Sequence, residues 1–197
     1  MKKILVIGSS TIDMVVKAEK HPLAGETVLG GNFLMNPGGK GANQAVTIAR
    51  LGGELTFVTK VGDDVFGKQI IEGFRKENMQ TDYVFVDEIN PSGTALIMVN
   101  AAGENCIVVA PGSNANLWMS DIEQVQNITT AAFILMQLEI PIETISIIAK
   151  NAKINHQKVI LNPAPAQHLC NELLQGLYLV TPNETEAAIL IRQELSY

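Results

Sequence analysis

The segment Asn36-Pro37-Gly38-Gly39-Lys40-Gly41-Ala42-Asn43-Gln44-Ala45 brings glycines, a cation and an amide together at what reads as the start of a helix. Adjacent glycines let the backbone approach a ligand closely and then turn into a helix, whose first N–H groups have no intrahelical partner. Lys40 and Asn43 fall in that first turn. Donors and a positive charge gathered there suit a polyhydroxylated or anionic small molecule. The same spacing also describes a glycine-rich entry to a core helix with Lys40 and Asn43 in solvent, and spacing alone leaves both readings open. Two carboxylates occupy comparable positions elsewhere. Asp13 follows the first apolar run and its turn, and Glu139 ends the run Phe133–Leu138. In an open parallel sheet ligands bind beyond the carboxyl ends of the strands, so both acids point toward one rim. Either acid alone could simply meet solvent there. Together with Lys40 and Asn43 they supply acceptors and donors for sugar hydroxyls.

Two neighbouring patterns imitate nucleotide motifs. Gly62-Asp63-Asp64-Val65-Phe66-Gly67-Lys68 has the phosphate-loop spacing, but Gln69 stands where Ser or Thr should meet magnesium. Asp63 and Asp64 would also face the phosphates, so a turn with an acidic helix start is expected instead. Gly39-Lys40-Gly41-Ala42-Asn43-Gln44 has Gln44 in place of the third glycine of a dinucleotide fingerprint, and it does not follow the first buried strand. Thr181-Pro182-Asn183-Glu184-Thr185-Glu186 reads first as a capping box, Asn183 with Glu186 three residues on. The functional alternative has Glu186 holding water around Mg²⁺ beside a bound phosphate. Asn162-Pro163-Ala164-Pro165-Ala166 is a stiffened loop at the same sheet edge.

Short all-apolar runs at Ile4–Ile7, Leu55–Val58, Ala132–Leu138, Val159–Leu161 and Leu177–Val180 suit strands buried on both faces. Helical periodicity fills Ala42–Leu51, Phe66–Glu77, Ile142–Lys153 and Glu184–Ile191 between them. Strand alternating with helix predicts a layered α/β fold with right-handed crossovers. Two stretches break the rhythm: Met14–Lys17 with Glu26–Leu34, and Ala95–Asn100 with Cys106–Val109 across a turn at 101–105. These read as β-ribbons standing off the body, and their apolar face requires cover by a second subunit or a closing site.

With 197 residues, 47% apolar and 17% charged, the chain can bury a sizeable core. A net charge of −6 without a basic tract argues against nucleic acid and against anionic membrane as partners. The apolar run behind Met1-Lys2-Lys3 is too short for a signal peptide or a membrane span, so a cytoplasmic protein is expected. Cys106 and Cys170 form no paired motif and are expected reduced and buried. His21, His156 and His168 lack metal-ligand spacing, the sequons at Asn127 and Asn183 lapse in the cytosol, and Met35, Met79, Met98, Met119 and Met136 read as core filler.

Taken in order, Gly8-Ser9…Asp13, Pro22…Gly25-Glu26-Thr27, Gly38 to Ala45, Gly62-Asp63-Asp64…Gly67, Leu135 to Glu139, Asn162 to Pro165 and Thr181 to Glu186 resemble the ribokinase-like (PfkB-type) carbohydrate kinases. The resemblance runs from the first strand to about Ile191. It implies a Rossmann-like three-layer α/β/α body, spanning 1–197 as one domain, with a small β-sheet lid within 14–34 and 95–109. The activity it implies is transfer of a phosphoryl group from ATP to the 5-hydroxyl of D-ribose, giving D-ribose 5-phosphate. Carried over, Thr11, Asp13, Gly39, Lys40, Asn43 and Glu139 would hold the sugar, Asn183 would face the nucleotide phosphates, and Glu186 would help organise Mg²⁺. The lid would close over the sugar and clasp a second subunit as a homodimer. Members of the ribokinase branch usually carry Asn where this chain has Thr11, which keeps another sugar or a nucleoside, fructose or adenosine, in view as acceptor. The family's Gly-Ala-Gly-Asp segment, with its general base, its adenine pocket and its K⁺ site, would lie beyond Tyr197. The chain alone is therefore expected to be inactive as a kinase. A noncatalytic sugar-binding or dimerising fragment is the alternative.

Overall fold

The computed structural model describes residues 2–126 and 128–191; the sequon residue Asn127 and the closing segment 192–197 lie outside it. In chain order the elements are β1 (Ile4–Ile7), β2 (Thr11–Lys17), β3 (Phe33–Gly38), α1 (Lys40–Arg50), β4 (Leu55–Gly62), α2 (Val65–Lys76), β5 (Val84–Asp87), β6 (Gly93–Val99) and β7 (Asn105–Ala110). There follow a 3₁₀ turn (Gly112–Asn116), α3 (Met119–Ile122), β8 (Phe133–Met136), α4 (Ile142–Ile154), β9 (Lys158–Leu161), α5 (Asn171–Gln175), β10 (Leu179–Val180) and α6 (Glu184–Ile191).

Six strands form one parallel sheet in the order β10-β9-β8-β1-β4-β5. β1 lies between β8 and β4 and is apolar at every position because it is covered on both sides. Leu5 and Ile7 join Ile134, Met136, Ile145 and Ile148 in one buried cluster. Val6 turns the other way, onto Ala42, Ala45, Phe57, Ile70 and Phe74. Small residues on the inner side of α1 bring that helix close to the sheet, and Phe57 and Phe74 meet edge to face at 5.3 Å. Asp64 opens α2 by accepting the Gly67 N–H at 2.7 Å, the acidic helix start expected in place of a phosphate loop.

The four remaining strands form a second sheet, β3-β2-β6-β7. β2 runs antiparallel to β3, pairing Asp13 with Asn36, and parallel to β6, pairing Thr11 with Gly93. β6 and β7 make the hairpin expected across 101–105. The two ribbons are thus one sheet, joined by a parallel pairing that local patterning cannot reveal.

Three expectations need correcting. The strand expected over Glu26–Leu34 begins only at Phe33. Gly30 and Gly31 take φ values of 101° and 106°, outside the extended region, and a Cβ on Gly31 would meet the Lys17 carbonyl oxygen at 1.4 Å. Cys106 and Cys170 are exposed, not buried, since one lies on β7 and the other immediately precedes α5. Met136 and Met79 are core residues, but Met35 and Met98 lie on the second sheet and are more than a third exposed. No helix among the described residues is long and apolar enough to cross a membrane.

Candidate functional site at the rim of the parallel sheet

The carboxyl end of β1 runs into Gly8-Ser9-Ser10, and the N-terminus of α1 is pressed onto that turn. A Cβ on Gly41 would lie 2.6 Å from the Gly8 carbonyl carbon and from the Ser9 nitrogen. Gly39, at φ 93°, has the Ser10 Cα where its own Cβ would be, at 2.8 Å. The Ala42 N–H donates to the Ser9 carbonyl oxygen at 2.9 Å. The glycines of this motif are therefore required by chain-to-chain packing, whatever a ligand adds.

Gly39 caps α1 without a side chain. A carboxylate from elsewhere does that work: Glu139 Oε2 accepts the Lys40 N–H at 2.9 Å and the Ser9 hydroxyl at 2.5 Å. The Lys40 ammonium stands 3.7 Å from Oε1 of the same group. The dipole of the helix thus faces a fixed negative charge belonging to the protein, and its first N–H groups are satisfied within the chain, Lys40 by Glu139, Gly41 by the Ser9 hydroxyl and Ala42 by the Ser9 carbonyl. Asp13 approaches from the second sheet. The Thr11 hydroxyl donates to its Oδ1 at 2.9 Å, and its carboxylate lies over Gly38, whose Cβ would fall 2.2 Å from that oxygen.

A cavity of about 500 Å³ opens beside these groups. Ser9, Thr11, Lys40 and Glu139 form part of its wall, and Val109, Trp118, Leu138, Ile140 and Pro165 supply an apolar side. Asp13 is half-buried at the foot of the second sheet and Asn43 is exposed on the first turn of α1; neither lines this cavity. The structure therefore brings Thr11, Gly39, Lys40 and Glu139 together around the Ser9 turn. Asp13 reaches them through Thr11 and Gly38, and Asn43 stands at the margin. A larger groove, about 650 Å³, lies at the opposite end of the strands, where Arg50 and Lys3 are paired with Glu77 and Glu54.

Asn183 and Glu186 form the expected capping box. Glu186 accepts the Asn183 N–H at 2.9 Å, and its own N–H donates to Asn183 Oδ1 at 2.8 Å. The two side chains also meet each other, at 3.1 Å. They sit at the β10 edge, with β9 between them and the strand that leads to Glu139. Among the described residues no group of three His, Cys, Asp or Glu is placed to hold a metal.

Residues missed in the sequence include Ser9, which orients Glu139, and Asn114 and Trp118 of the cavity wall. Ser9 could have been found as the polar residue directly behind a buried strand. Asn114 lies in the 3₁₀ turn and Trp118 immediately before α3, elements too short to carry a periodicity. The carboxylates most strongly held are structural. Burial alone would raise the Asp87 pKa, but the N–H groups of Asn90 and Ile89 and the amides of Asn116 and Asn90 outweigh it and hold the value down to about 2. Asp64 is likewise lowered: burial opposes this, and the Gly67 and Ser92 N–H groups and the Ser92 hydroxyl prevail. Both acids fasten the chain around Pro91-Ser92 where it enters the second sheet.

Residues 1–196 match the pfkB family carbohydrate kinase pattern. The chain is 43% identical over 194 residues to a ribokinase of Bacillus subtilis, covering 96% of this chain and 65% of that protein. It is 40% identical to a ribokinase of Haemophilus influenzae, covering 99% of this chain and 64% of the other. The solved structure of Arabidopsis thaliana ribokinase complexed with ribose and ATP superposes with a TM-score of 0.85 at 34% identity, over 96% of this chain and 62% of that one. The chain thus spans about two thirds of the length of the relatives it matches, slightly less in each case. With the family pattern spanning residues 1–196 and the fold superposing on a solved ribokinase, the chain belongs to the pfkB family of carbohydrate kinases.

Proposed function

We propose that these residues form the sugar-holding portion of an ATP-dependent kinase that phosphorylates D-ribose on its 5-hydroxyl. The single observation that carries this reading is the Glu139 carboxylate lodged against the N-terminus of α1. That position would otherwise attract an anion. Filled by Glu139, with Asp13 nearby, the rim offers a neutral polyol two acid acceptors and the Lys40 donor, and it repels an anionic ligand. In this reading Asp13 and Glu139 accept sugar hydroxyls, Lys40 and Asn43 donate, and Gly39 lets the sugar approach the backbone. Thr11 acts chiefly by orienting Asp13.

The second sheet would serve as a lid that excludes water from the transferring phosphoryl group, and its open apolar face would meet a second copy of the chain. ATP would be the phosphoryl donor, with Asn183 toward its phosphates. Glu186 spends both oxygens on Asn183. Each oxygen keeps a further lone pair, so Glu186 would hold Mg²⁺ through water rather than directly, and no step is assigned to Mg²⁺ or K⁺. The apolar wall around Trp118 supports one further reading, an acceptor larger than a bare pentose, such as fructose or a nucleoside.

The test is an ADP-release assay with D-ribose, D-fructose and adenosine as acceptors. No Gly-Ala-Gly-Asp segment occurs in the 197 residues, so no acceptor should raise ADP release above background. Ribose-dependent turnover at ordinary kinase rates, roughly 1–100 s⁻¹, would overturn the assignment of these residues to sugar holding alone.

A further inference from the structure

The chain passes between the two sheets at four places: Ser10 into β2, Gly39 out of β3, Ser92 into β6, and Pro111 out of β7. One buried side chain reaches three of them, the exception being the exit at Gly39. Asn114, 1% exposed, accepts the Ser10 N–H at 2.9 Å and donates to the Ser10 carbonyl oxygen at 2.9 Å. It thereby exchanges hydrogen bonds with Ser10 as a neighbouring strand residue would. Its amide nitrogen also donates to the Pro111 carbonyl oxygen at 3.1 Å. At the Ser92 crossing a Cβ on Gly93 would lie 2.2 Å from that nitrogen, so the amide fits only because Gly93 has none. Both amide hydrogens and one oxygen lone pair are engaged, and a primary amide is the side chain that offers donors and acceptor in this fork. Asn114 also lines the cavity beside Ser9 and Thr11.

We propose that Asn114 is the pivot of the second sheet: a positioning residue that locks three of the four crossings in register and so sets Thr11 and Asp13 against Glu139. Its consequence for sugar affinity rests on reading the cavity as the sugar site; its mechanical role does not. Without the amide, the Ser10 N–H and the Ser10 carbonyl oxygen lose their partners in a buried place, and the Pro111 carbonyl oxygen keeps only the Asn114 backbone N–H. The β2 entry is then free to tilt relative to α1, carrying Asp13 away from the Glu139 rim.

The native cysteines make this measurable, since Cys106 sits exposed on β7 and Cys170 exposed on the body. Spin labels on both, with the labelled chain diluted into unlabelled chain, report the distance between the second sheet and the body. Asn114→Leu should widen that distribution about twofold, as a locally released segment does, and weaken D-ribose binding roughly tenfold, the effect of one buried hydrogen bond left unmade. Ile148→Ala, a core change in α4 remote from the crossings, should lower the melting temperature and leave the width unchanged. If Asn114→Leu does not fold, Asn114→Asp, which keeps the acceptor and loses both donors, should widen the distribution in the same way. A folded Asn114 variant with the width of the unsubstituted chain, or equal widening by Ile148→Ala, would overturn the proposal. Widening in a chain that shows no ribose binding even when unsubstituted would uphold the pivot and refute the sugar reading.

Discussion

β1 and β7 are built from the same kinds of residue and end in opposite surroundings. Leu5, Val6 and Ile7 are at most 1% exposed, whereas Val108 is 69% exposed and Ile107 and Val109 about half. The difference is cover. Parallel strands need crossovers, and the crossovers lay α1 and α2 on one face of the body sheet and α4 on the other. β6 and β7 are joined by a hairpin, which brings no helix with it. β-branched runs therefore report strand formation in both places but not burial. The second sheet takes its place from the crossings that fasten it and from whatever meets its open face.

Paired substitutions test that contrast most strongly. Ile7→Ala should cost about 2–5 kcal/mol in urea unfolding, because the cavity it leaves is enclosed on every side. Val108→Lys should fall within about 0.5 kcal/mol of the parent, and sedimentation should show any dimer shifting to monomer. Equal destabilisation at the two sites would mean that the second sheet is covered within its own chain. Between them stands Gly41→Ala. In an open helix this change gains about 1 kcal/mol of propensity, but here the new Cβ meets the Gly8–Ser9 backbone at 2.6 Å. Overpacking of about 1–3 kcal/mol should prevail, giving a net loss of stability and weaker sugar binding. A stabilised Gly41→Ala would show that the α1 contact is looser than its geometry implies.

Most of the body was legible because five of its six strands carry a short apolar run bounded by turn residues and each main helix a 3.6-residue period. β5 escaped notice: only Val84 to Val86 are apolar, and Asp87 closes the strand. The pairing of β2 with β6 was illegible for another reason. It joins segments about eighty residues apart, and nothing local in Ile12 or Thr94 specifies a parallel partner. At the site, Asp13, Lys40 and Glu139 stood out as charges behind buried strands or at a glycine-rich turn. Ser9 and Asn114 did not, since their importance lies in which backbone atoms they reach. The glycines were recognised, but the partner they admit is the chain's own β1–β2 turn.

The most direct test of the central claim is a calorimetric titration of D-ribose, without nucleotide, into the unsubstituted chain and into Asp13→Asn and Glu139→Gln. One site per chain is expected, with affinity reduced roughly tenfold or more in each variant, the scale of a charge-assisted hydrogen bond removed. A folded chain that gives no heat, or that binds ribose equally well without either carboxylate, would contradict it.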